Sequence, residues 1–383
     1  MRGGVELDKV TRIVGGEMYL ADISLALEPG SFNVLLGRTR AGKTSLLRIL
    51  AGLDRVTSGA VREDGVDVTH TDVRRRSVAM VYQQFVNYPS LTVYENIASP
   101  LRLARALGAP EIDRRVRETA AALRLDALLE RLPAELSGGQ QQRTAMARAL
   151  VKDARLLLLD EPLANLDYKL REELRVEIQT LFKKSGAVVV YATTEPAEAL
   201  LLGGQTAVLH EGRLLQCGPT LEVYGAPATA HVGQVFSDPQ MNLLDVEVIE
   251  GRRARLSDDV EIALPAHLAG LPLGRVRLGV RAHHVRLAPA DEGDVRIPAR
   301  TLLEEISGSE TLLHAETGGG AGTAGASITA QLPGVQRHAL GAPIDLFLAG
   351  ARLYAFSPDG PLLTAPPSGR PSPTLDGAAH GTH

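Results

Sequence analysis

The first half of the chain carries five short, almost purely apolar runs, at residues 32–36, 78–82, 156–159, 188–191 and 206–209. Runs this short without polar alternation predict strands buried on both faces of a parallel sheet. Helix-like stretches lie between several of them. Residues 111–130 are rich in Ala, Leu, Arg and Glu, and residues 168–184 place Leu170, Leu174, Ile178 and Leu181 at helical spacing. Alternating strands and helices predict an α/β domain. Beyond about Phe236 the pattern changes to short β-like segments, 243–249, 276–281, 285–288 and 311–315, punctuated by Pro and Gly. These predict a second, all-β domain of small barrel type. The expected boundaries are 1–235 for the first domain, with a helical subdomain at about 88–150, and 236–365 for the second. The Gly/Ala-rich stretch 318–326 reads as a hairpin loop, since no Lys or helix follows it. The Pro/Gly/Ser-rich residues 366–383 read as a disordered tail.

Composition narrows the class. The 383 residues are 44% hydrophobic and 22% charged, which suffices for two globular cores. A net charge of -4 argues against nucleic acid as a partner, because such domains are strongly basic. The short runs 74–76 and 114–115 of arginine are expected on solvated faces. A single cysteine, Cys217, excludes a disulfide framework and fits a reducing cytosol. Residues 1–10 hold Arg2, Glu6, Asp8 and Lys9 and no apolar h-region. No apolar stretch approaches the roughly 18 residues of a membrane-spanning helix. Work at a membrane would require docking onto another chain.

The chemistry is concentrated in two places. Gly37-Arg38-Thr39-Arg40-Ala41-Gly42-Lys43-Thr44 fits the pattern G-x-x-x-x-G-K-[ST], follows the apolar run 32–36 and opens a helix-like stretch at 44–51. Such glycines let backbone N–H groups turn around phosphate oxygens, and the helix dipole favours the anion. Lys43 is placed to reach β/γ-phosphates and Thr44 to offer an oxygen to Mg²⁺. The run 156–159 ends in Asp160 and Glu161. Asp160 is predicted to hold Mg²⁺, and Glu161 to act as general base toward an attacking water. Between the two lies Leu136-Ser137-Gly138-Gly139-Gln140, a small turn at the head of a helix-like stretch, 141–150. One nucleotide has no use for two such anion sites from one lobe. The turn is therefore expected to contact a γ-phosphate held by a partner chain.

In this order the motifs resemble the ABC ATPase family, where the pentapeptide is the signature motif and a dimer sandwiches two ATPs. The resemblance covers roughly residues 1–235. It implies that Gln83 is the Q-loop glutamine, contacting Mg²⁺ and water, and that Asn165-Leu166-Asp167 is the D-loop at the dimer interface. It further implies that Ser45 joins the phosphate site and that residues 87–97 border a groove for a permease's coupling helix. Pro239-Gln240-Met241-Asn242, Leu278-Gly279-Val280-Arg281 and residues 305–310 resemble the oligonucleotide-barrel-like regulatory domain of maltose-type importers. The motif details at 41–45, 83–88 and 194–196 are similar to those of the paired ATPases of bacterial glycerol importers. What the resemblance implies is an ATP-hydrolysing subunit of a carbohydrate or polyol importer, for glycerol or glycerol 3-phosphate. It would be peripheral to the cytoplasmic face of a bacterial inner membrane, with a second ABC ATPase, two permease subunits and a solute-binding protein as partners. His283-His284 is expected to be structural.

Three positions depart from the family pattern. Thr194 stands where a switch histidine is usual, and it cannot carry positive charge. Val14 stands where an aromatic residue stacks on adenine; Tyr19 is a nearby alternative. Arg38 and Arg40 replace small or uncharged residues of the phosphate loop, where they could face the phosphates or the partner. Thr194 raises two readings: pairing with a different ATPase whose histidine is intact, or a regulatory, weakly hydrolysing role. A non-transport ABC ATPase is the remaining alternative, against which stand the single cassette and the lack of room for a coiled coil between Lys43 and Ser137.

Overall fold

The computed structural model describes residues 4–84, 86–164, 171, 186–257, 260–318 and 325–367. These divide into two compact units, one of residues up to Ala228 with Val232–Asp238, the other of Thr229–His231 with the chain from Pro239 on. The predicted helix at 168–184 and Asn165-Leu166-Asp167 lie outside the described residues, as do 319–324 of the predicted hairpin loop and 368–383 of the tail.

In the first unit the strands are β1 (Val5–Val14), β2 (Glu17–Leu27), β3 (Phe32–Leu36), β4 (Ser58–Glu63), β5 (Val66–Asp67), β6 (Val78–Val81), β7 (Leu156–Asp160), β8 (Val188–Thr193), β9 (Gln205–His210) and β10 (Arg213–Pro219). All five apolar runs form one sheet of order β10-β9-β3-β8-β7-β6, parallel except for the β9–β10 hairpin. Its residues alternate between two cores. Val34, Leu36, Leu157, Leu159, Val189 and Tyr191 pack with helix residues such as Ile97, Val116 and Met146. Leu35, Leu156, Leu158, Val188 and Val190 face Leu25, Leu47 and Val61 on the other side. A strand covered on both faces needs no polar alternation, which is why the runs are continuous.

The second face is closed by an antiparallel sheet, β2-β1-β4-β5, and by helix α1 (Lys43–Leu50). The first is closed by α2 (Val93–Ala104), α3 (Ala109–Ala122) and α4 (Gly138–Leu150). Helix α3 is shorter than the predicted 111–130: Arg124 turns left-handed at φ 55° and the chain continues as a 3₁₀ turn, Asp126–Leu128, so that Leu125 and Leu129 are buried. Arg76 also departs from expectation. It is 5% exposed rather than solvated, donating to the carbonyls of Leu50, Thr71 and Val68.

The second unit is all-β. One sheet runs β13-β12-β11-β14-β20-β21, built of β11 (Asn242–Ile249), β12 (Arg253–Ser257), β13 (Val260–Ala263), β14 (Gly274–Val280), β20 (Tyr354–Phe356) and β21 (Leu362–Thr364). The other runs β15-β19-β16-β17-β18, built of β15 (Val285–Arg286), β16 (Val295–Ile306), β17 (Glu310–Thr317), β18 (Ser327–Pro333) and β19 (Pro343–Leu348). The edge strands of this second sheet come within 8 Å of one another, so it nearly closes into a barrel. Alternate residues such as Leu244, Val246, Ile297, Leu313, Ile328 and Leu346 fill a common core. His283 and His284 lie side by side, ring centroids 4.2 Å apart. Burial and the neighbouring arginines hold both below the usual imidazole range, His284 down at about 4. No helix among the described residues is long and apolar enough to cross a membrane.

Candidate nucleotide site

The strand order places the ends of β3 and β7 on either side of β8, at the carboxyl edge where open α/β sheets bind ligands. The phosphate-loop sequence leaves β3 there. Gly37 passes so close to β9 that a Cβ would stand 2.5 Å from the Leu209 carbonyl oxygen. Gly42 has φ 101° and caps α1 with no side-chain bond, leaving the helix's first amides to a ligand. Lys43, 5% exposed, folds its ammonium back over the loop, donating to the carbonyls of Gly37 at 2.7 Å and Arg38 at 3.1 Å.

Across the mouth of the loop, β7 delivers the two acids. Asp160 is 3% exposed, and burial pushes its carboxyl above the usual range against the pull of the Thr44 hydroxyl and Lys43. Glu161 turns left-handed at φ 47° with its N–H bonded to Ala192 O, which aims its side chain out of the strand edge. One carboxylate oxygen lies 3.4 Å from Lys43 Nζ, and the other accepts from Gln83 Nε2 at 3.1 Å. Lys43 is pulled down by burial, opposed by Glu161 and Asp160.

Gly42, Lys43, Gln83 and Glu161 share one cavity of about 690 Å³. Of the sequence-predicted residues, Thr39, Arg40, Ala41, Gly42, Lys43, Thr44, Ser45, Gln83 and Glu161 line it. Gly37 and Arg38 lend their carbonyls to Lys43 without lining the space, and Asp160 is buried next to Glu161. Thr194 is exposed and outside the lining; its neighbour Thr193 is tied to the loop by the Gly37 N–H, 3.3 Å from the Thr193 carbonyl. Val14 stands at the β1–β2 hairpin end, opposite Glu17, beside the lining and not in it. Asp167 lies outside the described residues. The turn at Ser137, Gly138, Gly139 and Gln140 is also outside the cavity. Ser137 caps α4 through a reciprocal box with Gln140, and both Ser137 and Gly138 are exposed.

Tyr19, the sequence's alternative to Val14, lines the cavity, and four further lining residues carried no sequence signal. Glu17, Met18 and Tyr19 come from the β1–β2 hairpin, and Glu211 and Gly212 from the turn between β9 and β10. Backbone bonds clip that turn in place, Gly212 N–H to Ala41 O at 3.0 Å and Ala21 N–H to Gly212 O at 2.8 Å.

Among the described residues no cluster of three or more His, Cys, Asp or Glu exists that could cage a metal. Asp160 beside Thr44 fits a smaller demand, since Mg²⁺ is typically held by one or two carboxylates plus substrate phosphates. The phosphate-binding loop, the buried acid and the tethered glutamate together suit phosphoryl transfer to water.

A second, more apolar groove of about 520 Å³ lies between Leu53, Met80, Tyr82, Tyr88, Leu103 and Arg148. Tyr88 and Leu91, from the predicted groove segment 87–97, line it. Asn96, fully buried, organises that segment by donating to the carbonyls of Tyr88, Leu91 and Thr92 and accepting from the Tyr88 N–H.

Residues 20–164 match the family model described as ABC transporter. The chain is 38% identical over 347 residues to the sn-glycerol-3-phosphate import ATP-binding protein UgpC of Salmonella typhi, covering 88% of this chain and 97% of that protein. It is 36% identical to the protein of the same name from Escherichia coli (strain K12), covering 92% of this chain and 97% of that one. In fold it is similar to an ATP-binding cassette solved as a dimer in a post-hydrolysis state with ADP and Pi. That match has a TM-score of 0.52 and 30% identity, over 56% of this chain and 98% of the cassette.

Proposed function

Because the chain belongs to the ABC transporter ATP-binding family, we propose that the 690 Å³ cavity is where it binds and hydrolyses ATP to drive import of a phosphorylated polyol of the glycerol 3-phosphate class. The observation that carries the reading is Glu161, held by Lys43 on one oxygen and by Gln83 on the other at the mouth of the phosphate loop. When the triphosphate enters, its γ-oxygens compete for Lys43 and release one oxygen of Glu161. That oxygen takes a proton from water as the water oxygen attacks the γ-phosphorus, and the bond to the ADP oxygen breaks. Gln83 orients the same water. Mg²⁺, held by Asp160 and Thr44 with the phosphates, would neutralise charge on the β/γ-oxygens.

The substrate class rests on the names of the relatives, which match over nearly their whole length. Membrane engagement rests on the second groove. Exposed Tyr88 and Leu103 line it, and the buried Asn87 Oδ1 and Arg148 Nη1, at or beside it, have no hydrogen-bond partner among the described residues. A permease helix with apolar and polar positions would satisfy both. In this reading residues 1–235 form the motor and 236–365 a regulatory domain, and the protein sits peripherally on the cytoplasmic face of the cell membrane. A second cassette, two permease subunits and a solute-binding protein complete the importer.

The test is turnover against binding. Glu161→Gln should lower ATP turnover by about a hundredfold or more, the scale of a lost general base, with ATP affinity retained. Lys43→Ala should lose affinity itself. Turnover unchanged in Glu161→Gln would remove the assigned base. Uptake of labelled glycerol 3-phosphate by cells with and without the chain tests the cargo.

A further inference from the structure

The cavity has a charge problem. Its lining carries three carboxylates, Glu17, Glu161 and Glu211, against two cations, Lys43 and Arg40. Lys43 is already engaged with Glu161 at 3.4 Å. A triphosphate brings about four negative charges of its own, and charge builds on the γ-oxygens during transfer. Thr194, beside the loop, offers a hydroxyl and no charge. Arg40 is left as the one lining cation without a carboxylate partner among the described residues.

Its backbone points the same way. Arg40 has φ 68°, a left-handed conformation that glycine adopts freely and side chains with a β-carbon resist. Strain of this kind persists where the surroundings hold it and commonly marks a working site. Arg38, two residues earlier, does not line the cavity. The two arginines of the loop therefore have different surroundings.

We propose that Arg40 is a catalytic residue of this chain, its guanidinium contacting γ-phosphate oxygens of the ATP in its own cavity and supplying the positive charge that Thr194 cannot. The planar fork suits paired phosphate oxygens. This rests on the nucleotide reading of the cavity given above.

The experiment uses the full-length chain and four variants: Arg40→Gly, Arg40→Lys, Thr194→His and the double Arg40→Gly/Thr194→His. ATP affinity is measured by calorimetry and kcat by phosphate release. Glycine fits φ 68° without strain, so Arg40→Gly should fold, with a thermal midpoint no lower than the parent's. Its kcat should fall by about tenfold or more, within the range for removing one charge-stabilising donor, while ATP affinity changes by less than about threefold. Arg40→Lys should retain an intermediate kcat. Thr194→His should raise kcat in the Arg40→Gly background by a larger factor than in the parent. The proposal is overturned if Arg40→Gly keeps kcat within twofold, if affinity falls as far as kcat, or if Thr194→His acts equally in both backgrounds. A parent chain that neither binds nor hydrolyses ATP would instead sink the nucleotide reading.

Discussion

At the scale of single residues, the end of β8 is organised around a carboxylate that the reaction does not consume. Glu198 is 4% exposed and accepts hydrogen bonds from the Thr193 hydroxyl at 2.6 Å and the Tyr191 hydroxyl at 3.0 Å. Thr193 in turn accepts from the Glu195 N–H, so the carboxylate fixes the turn that presents Thr194. Burial pushes Glu198 above the usual carboxylate range, against the pull of the two hydroxyls. An acid with a raised folded-state pKa binds its proton more tightly when folded, so it favours folding at low pH. That contribution is lost as pH rises from the unfolded value of about 4.5 through the folded one. Glu198→Gln cannot titrate. Its thermal midpoint relative to the parent should therefore rise steadily from below pH 4.5 toward neutral, whatever the fixed offset between the two proteins. A flat difference would mean that Glu198 keeps an ordinary pKa. None of this was legible in the sequence, because the hydroxyls that meet Glu198 are brought to it by the fold. Glu161 was legible only beside the phosphate-loop motif, since by itself an acid that ends an apolar run reads equally as an acidic turn after a core strand. Glu17 and Glu211 were not, because their place in the cavity depends on which strands the sheet makes adjacent.

Among the elements, legibility tracked burial. The runs at β3, β6, β7, β8 and β9 could be read because both faces of each strand are covered. The hairpin of β1 and β2 could not. Its register shifts between Leu7 and Val10 and again near Arg12, which breaks the two-residue period that marks a half-buried strand. In the second unit β11 reads cleanly, since one face is buried and the other is not. Helix α2 carries a start signal that can be tested by itself. Thr92 Oγ1 accepts from the Glu95 N–H at 3.2 Å, and Glu95 Oε2 accepts from the Thr92 N–H at 2.9 Å. This reciprocal box satisfies two amides that the first turn would otherwise leave open. Thr92→Ala should destabilise the first unit by about 1 kcal/mol in denaturant unfolding, the usual value of such a cap. Because α2 also carries Pro100 and Leu103 of the second groove, the same variant should weaken permease capture more than ATP binding.

For the whole molecule, the decisive fact is that the α4 head stands apart from the cavity of its own chain. Among the described residues, the cavity's lining comes from the β1–β2 hairpin, the phosphate loop and the start of α1, Gln83, Glu161 and the β9–β10 turn. The helix head at Ser137 and Gly138 has the amides and the dipole to bind an anion, and it is exposed, yet it does not line that cavity. If the second cassette proposed above is another copy of this chain, its α4 head set on the open side of the nucleotide would account for both facts, and by symmetry each chain would complete the other's site. ATP should therefore act as glue and hydrolysis as release. Glu161→Gln, slowed in hydrolysis, should sediment as a dimer with ATP and as a monomer with ADP. Adding Ser137→Arg would put a bulky cation at the α4 head and remove the cap. That double variant should still bind ATP, since Ser137 does not line the chain's own cavity, but should stay monomeric in sedimentation. A Glu161→Gln/Ser137→Arg chain that still dimerises with ATP would show that the α4 head does not close the site.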